Sequence, residues 1–252
     1  MKLARALKGT AGIGVAIALW EATRALGLID ARDLPSVIDI ARSGVENAAD
    51  LGRAALGTLG VWAAGLTLAT VLGAVAGIAL ALLPWLERIT RPLIEFMRPI
   101  PSVALIPVAL IVIGLGFRME VTLITFASVW PVLFNAKAGV ESVDPRFVET
   151  GRILGLGRAA IVLRIVLPAA LPAIATGVRT AAAIALVLAI TVEMLAGQKG
   201  LGFFLQFAAL NGQFAQMWAG TMFAGLLGLA LNTIFLTTER RVLVWSAEHR
   251  AT

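Results

Sequence analysis

Long apolar runs that are nearly free of charge leave this chain few folds to choose from. The stretch from Ala55 to Trp85 contains no Asp, Glu, Lys or Arg. About 20 apolar residues suffice to cross the roughly 30 Å hydrocarbon core of a bilayer as a helix. Over the 252 residues, 59% are hydrophobic and 14% charged, where a soluble domain carries about a quarter charged residues. The expected fold is therefore an all-α integral membrane protein, one transmembrane domain over residues 1–252. Six spans are expected, at about 10–28, 55–85, 103–115, 121–138, 169–195 and 217–236.

The N-terminus sets Lys2, Arg5 and Lys8 before an apolar run, as a secretory signal does, but no small-residue cleavage site is clear after it. It reads as an uncleaved first span, with Glu21 and Arg24 placed to pair on one helix face. Between the first two spans lies a polar stretch, Ile29 to Arg53. Its Val37, Ile40, Ala41 and Val45 recur at helical spacing, which predicts an amphipathic surface helix. Gly60, Gly65, Gly73 and Gly77 in the second span suit close helix packing in lipid. Leu86–Pro101 reads as an Arg-bearing interruption, the third span as short and broken at Pro107, and the fourth as open to a kink at Pro131. The aromatic stretch after Gly200-Leu201-Gly202 reads as a hairpin or surface helix at the outer boundary.

Several chemistries are excluded. There is no Cys, hence no disulfide framework and no thiolate, and His249 stands alone near the C-terminus as a solvated residue, so no metal site is expected. No catalytic residue suggests itself. The net charge of +6 sits in short clusters between apolar runs rather than on one basic face, which argues against nucleic acid. Fourteen of the 21 basic residues fall on one side of a six-span topology with both termini cytoplasmic, against six on the other and Arg179 within a span. None of the four lysines closes a phosphate-cradling G-x-x-x-x-G-K-[ST] loop, so ATP and Mg would have to be held by another chain.

One polar island stands out. In E-T-G-R-I-L-G-L-G-R-A-A-I-V-L-R-I-V-L-P, residues 149–168, Arg152, Arg158 and Arg164 recur every six residues among apolar ones. Asp144 is placed to cap a helix and Pro145 suits its first position. Gly155 and Gly157 then interrupt the pattern, which predicts two short helices joined by a bend, an elbow over 144–168 able to dock into a groove of a soluble partner.

This segment resembles the cytoplasmic loop of the membrane subunits of binding-protein-dependent ABC importers. That family's pattern is Glu-Ala-Ala, three residues, Gly, nine residues, then Ile-x-Leu-Pro. Glu149, Gly155, Ile165, Leu167 and Pro168 stand at the required spacing, with Thr150 and Gly151 in place of the alanines. F-M-R-P-I-P-S at 96–102, V-D-P-R-F at 143–147, and Glu193-Met194 followed by Gly-Leu-Gly are similar to the nitrate, sulfonate, taurine and bicarbonate permeases. The resemblance implies a permease subunit of an ATP-driven importer in a bacterial inner membrane. It would work with a second copy of itself, two ABC ATPase subunits and an extracytoplasmic substrate-binding protein. It implies ATPase coupling through Glu149, Arg152, Ile153, Leu154, Gly155, Leu156 and Gly157. The solute would be a small anion (taurine, an alkanesulfonate, nitrate or bicarbonate), with an aromatic carboxylate or a thiamine precursor as the alternative. An ATP-independent secondary transporter and a non-transporting membrane scaffold are the rival classes.

Charges within a span are costly and need a partner or water. Arg179 either draws an anion along an aqueous path or pairs with a carboxylate of the bundle. Glu193 either gates the outer mouth or pairs with Lys199. Thr180 and Thr191 either line the path or bond to their own helix carbonyls.

Overall fold

In hydrocarbon each backbone N–H and C=O needs a partner within its own segment, so apolar runs of this length become helices. The computed structural model describes residues 2–30 and 32–242, and among them there is no strand. The elements in order are α1 (Lys2–Ala25), α2 (Val37–Glu46), α3 (Ala48–Leu82) and α4 (Pro84–Met97). A 3₁₀ turn (Ser102–Leu105) then leads into α5 (Ile106–Ile113), followed by α6 (Phe117–Glu141), α7 (Pro145–Ile153) and α8 (Arg158–Ile161). A π turn (Val162–Val166) precedes α9 (Leu167–Ala196), α10 (Leu201–Leu210) and α11 (Phe214–Val242).

The core is α3, α6 and α9, and small residues set its spacing. A Cβ on Gly73 would lie 2.8 Å from Val132 Cβ, and one on Gly77 would lie 2.9 Å from Ala136 Cβ. Higher positions on α3 meet higher positions on α6, so these two helices run parallel. Gly139 meets Ala170 and Ala173, while Gly177 meets Pro131, Val132 and Asn135, so α9 runs antiparallel to α6. Buried Ile124, Val132, Ala181, Ala185, Leu188 and Val192 fill the contact. Gly60, also expected at a helix contact, faces open space.

Parallel α3 and α6 require residues 83–116 to carry the chain back across the bundle. They do so as a bent pair, α4 and 102–113, at 84° to one another. The expected free-standing span at 103–115 is thus corrected. The eight residues of α5 rise only about 12 Å, too little to cross alone. Pro107 does not break this helix but sits in its first turn, where a missing N–H costs nothing. The interruption read at Leu86–Pro101 is mostly the helix α4, opened by Pro84.

Other boundaries move as well. α3 starts at Ala48, not Ala55, because Asp50 and Arg53 pair with each other on its exposed first turns instead of ending the helix. It stops at Leu82, and Trp85 belongs to α4. Among the described residues four helices are long and apolar enough to cross a membrane: Ala48–Leu82, Phe117–Glu141, Arg158–Ala196 and Phe214–Arg241. Counted as one span, the bent pair would bring these to five. The expected first span, 10–28, corresponds to α1, which ends at Ala25 and turns through Gly27 at φ +66°.

Local expectations at this end hold. Glu21 pairs with Arg24 at 3.5 Å, and its Oε1 also accepts the Val37 N–H at 2.9 Å, at the start of α2. α2 is the amphipathic helix predicted, with Ile40 buried, although Val45 is exposed. Trp20 packs edge-on to Trp218 at 4.7 Å and donates to the Pro35 carbonyl. Basic residues Arg240 and Arg241 close α11, while Arg250 and His249 lie outside the described residues.

Candidate coupling site and buried polar groups

The segment 144–168 is built by short-range chemistry. Asp144 Oδ1 accepts the Arg146 N–H at 2.9 Å and Pro145 opens α7, as its sequence predicts. α7 closes at Leu154, beyond which Gly155 takes φ +77°. Its N–H donates to the Arg152 carbonyl at 2.9 Å, and the Leu156 N–H reaches back to the Gly151 carbonyl at 3.0 Å. This pair of bonds is the Schellman termination, which needs a left-handed residue at that position. Among the described residues nothing beyond its own chain neighbours lies within 4 Å of a Cβ placed on Gly155, so the demand there is conformational and not steric. Gly151 answers to space instead. It is buried, and a Cβ on it would lie 2.8 Å from Ile165 Cδ1.

The bend sorts the apolar residues. Leu156 and Ile165 turn inward onto buried Val140, Ile161, Val166 and Ala170. Ile153 and Leu154 point out, 86% and 73% exposed, with Phe147 and Leu163 also exposed. Glu149, Arg152 and Gly157 are exposed as well. The second of the two expected short helices is not separate. Arg158–Ala196 is one helix of 39 residues, which passes the proline through a π turn. The widened turn bonds the Leu167 N–H to Val162 O, so Pro168, which lacks an N–H, does not end the helix.

At the opposite end of the bundle Glu193 is 1% exposed. Its Oε2 accepts from Thr58 Oγ1 at 2.8 Å and from the Gly202 N–H at 2.9 Å. Thr58 Oγ1 in turn accepts the Leu201 N–H at 2.8 Å. Carboxylate and hydroxyl thus satisfy the first N–H groups of α10, which are orphaned by helix geometry. One residue from each of α3 and α9 is joined to the start of α10. The pairing of Glu193 with Lys199 is not formed among the described residues. The Gly202 amide and the Thr58 hydroxyl, both at hydrogen-bonding distance, take the carboxylate instead. Glu193 Oε1 is buried without a partner among the described residues. The segment after Gly200 is not a hairpin but α10, whose Leu201, Leu205 and Ala208 are buried.

Arg179 Nη1 lies 3.3 Å from Glu239 Oε2, joining α9 to α11. A cavity of about 220 Å³ beside the pair is lined by Arg179, Ala183, Val187 and Asn232 among others. Ala183 and Val187 also border a second cavity of about 470 Å³ that reaches Ser102 and Thr191. The Thr180 and Thr191 hydroxyls donate to the carbonyls of Thr176 and Val187 on their own helix. Sequence reasoning missed Thr58 and Glu239. Thr58 is one threonine in an apolar run, and Glu239 lies beyond the limit drawn for the last span.

Residues 69–242 match the family described as binding-protein-dependent transport system inner membrane component. A probable ABC transporter permease protein of Brucella melitensis is 30% identical over 182 residues, covering 69% of this chain and 74% of that one. The taurine transport system permease protein TauC of Escherichia coli is 30% identical, covering 71% and 66%. The nitrate import permease protein NrtB of Leptolyngbya laminosa is 29% identical, covering 78% and 67%. Among solved structures, inward-facing MetNI methionine ABC transporter matches with a TM-score of 0.65 at 18% identity, covering 78% of this chain and 96% of that one. That likeness concerns the fold. The chain belongs to the family of inner-membrane components of binding-protein-dependent transport systems and is an ABC importer permease.

Proposed function

We propose that this permease forms half of a path for a small anionic solute of the taurine, alkanesulfonate, nitrate or bicarbonate class. It would do so as a homodimer with two ATPase subunits and an extracytoplasmic binding protein. Relatives named for taurine, nitrate and bicarbonate transport support the solute class. The whole chain, residues 1–252, acts as one transmembrane domain in a bacterial inner membrane, with α1 as the first of six crossings and both termini cytoplasmic. The observation favouring this orientation is the placement of charge. Arg88, Arg91, Arg98, Lys137, Arg146, Arg152, Arg158, Arg164, Arg240 and Arg241 all lie on the side where α3 and α6 end and α9 begins.

The single observation that carries the coupling assignment is the exposed apolar pair Ile153 and Leu154, presented at this basic end by the Gly155 termination. In this reading Ile153 and Leu154 enter a groove of the ATPase, with Glu149 and Arg152 at its rim. Leu156 anchors the elbow from within, and Gly155 and Gly157 set its angle. ATP and Mg are bound by the ATPase, whose closure favours one state of the bundle and shifts its population. Arg179 and Thr191 lie along the path on α9, and Glu193 shapes the outer gate by holding α10 in place.

Purification of the tagged permease from its native membrane tests the partnership. The expected result is one ATPase subunit per permease copy, lost when Ile153 and Leu154 are both replaced by Asp. A permease that comes out intact and alone would bring the secondary-transporter class forward.

A further inference from the structure

α4 has no buried residue, yet it is sharply two-faced. Trp85, Ile89, Leu93 and Phe96 fall within one helical stripe and are all well exposed, at 58–71%. The opposite face carries Glu87, Arg91, Glu95 and Arg98, and looks across a cavity of about 340 Å³ toward Lys137 and Phe134 of α6. Buried Leu80 and Leu133, with Ile94 and Phe134, form the apolar floor of that cavity, and the more exposed charged side chains form its rim. The two rim carboxylates are each engaged. Glu87 holds Lys137 at 2.6 Å, which Glu141 also holds at 3.1 Å, and Glu95 holds Arg91 at 2.8 Å. Arg98 has no carboxylate within ion-pair distance among the described residues, and its guanidinium stacks 4.8 Å from the Phe134 ring centroid. The Arg91–Glu95 pair is mostly exposed, so little free energy keeps Arg91 from turning to another anion.

We propose that this cavity binds the phosphate headgroup of an anionic phospholipid from the leaflet on the basic side of the protein. The phosphate is held by Arg98 and Arg91, and the glycerol region rests on the apolar floor. A charged rim that offers the two guanidinium groups of Arg91 and Arg98 over an apolar floor complements an amphiphile, whereas a small soluble anion would use the rim and leave the floor empty. Basic pockets between membrane helices on the cytoplasmic side take anionic headgroups for this reason. The exposed stripe Trp85–Phe96 lies among acyl chains, as the apolar face of an interfacial helix does. The cavity is too small for a whole lipid, so it selects by headgroup.

The assignment of leaflet rests on the orientation proposed above, and the solute carried does not enter it. The test is native mass spectrometry of the complete transporter, released from nanodiscs of phosphatidylcholine and phosphatidylglycerol in equal parts, without nucleotide or solute. Wild type should retain phosphatidylglycerol in preference to phosphatidylcholine. In R91Q/R98Q that preference should fall by about fivefold for each guanidinium removed, while R240Q/R241Q, at the end of α11, should keep it. Equal retention of the two lipids, unchanged retention in R91Q/R98Q, or full displacement by inorganic phosphate would overturn the proposal. Because no transport is read, failure here leaves the importer assignment standing, and failure of transport leaves this result interpretable.

Discussion

At the residue scale, Glu193 and Gly155 illustrate two ways in which a single position is fixed. Glu193 is held by partners distant in sequence: Thr58 lies 135 residues away, and the amide it caps begins another helix. Replacing Thr58 with Val removes the bonds to both Glu193 and the Leu201 N–H. It should cost about 1–3 kcal/mol, read as a lower unfolding temperature of the detergent-solubilised protein. An unchanged temperature would show that this node contributes nothing to stability. Gly155 is held by its own backbone. Gly155→Val should leave insertion and folding intact, because open space surrounds the site, but distort the bend by forcing a β-branched residue to φ +77°. Such local devices were legible in the sequence. Asp144-Pro145 and Gly155 announce a helix start and stop through chemistry contained within a few residues. Thr58 and Glu239 were not legible, because their roles depend on partners that only the fold brings near.

Among the elements, the contact of α3 with α6 is the most demanding. Gly77 abuts the backbone at Leu133 and the Ala136 side chain, which cannot move aside as a flexible side chain would. Gly77→Leu should therefore cost about 1–3 kcal/mol or more, seen as poor yield and rapid proteolysis. Gly60→Leu, in open space, should stay within about 0.5 kcal/mol of wild type. The ion pair between α9 and α11 can be tested by a double-mutant cycle of Arg179→Gln and Glu239→Gln. A coupling of about 0.5–3 kcal/mol is expected if they act as a pair, and strict additivity would contradict it. Element types followed from the apolar runs, but α4 was misread as an interruption. Its hydrophobic residues form one stripe of a helix whose other face is charged, so no continuous apolar run marks it. The π turn ahead of Pro168 was also hidden, since a proline at that spacing suggests a helix start as readily as a widened turn.

On the scale of the whole molecule, the parallel course of α3 and α6 fixes the topology more firmly than any count of apolar runs. It obliges the chain to return between them, and the bent α4–α5 pair performs that return. With α9 antiparallel, the 144–168 segment and most of the basic residues that follow α3 gather at one end, and the Glu193 node closes the other. The central claim is that this end receives the push of an ATPase and transmits it to the bundle. Uptake of a candidate anion into proteoliposomes, measured together with ATP hydrolysis by the complete transporter, tests it most directly. Wild type should accumulate the solute only with ATP and binding protein, whereas the Gly155→Val complex should assemble and hydrolyse ATP yet lose most of its uptake. Full ATP-driven uptake by that variant, or uptake by the permease without any ATPase, would contradict the account.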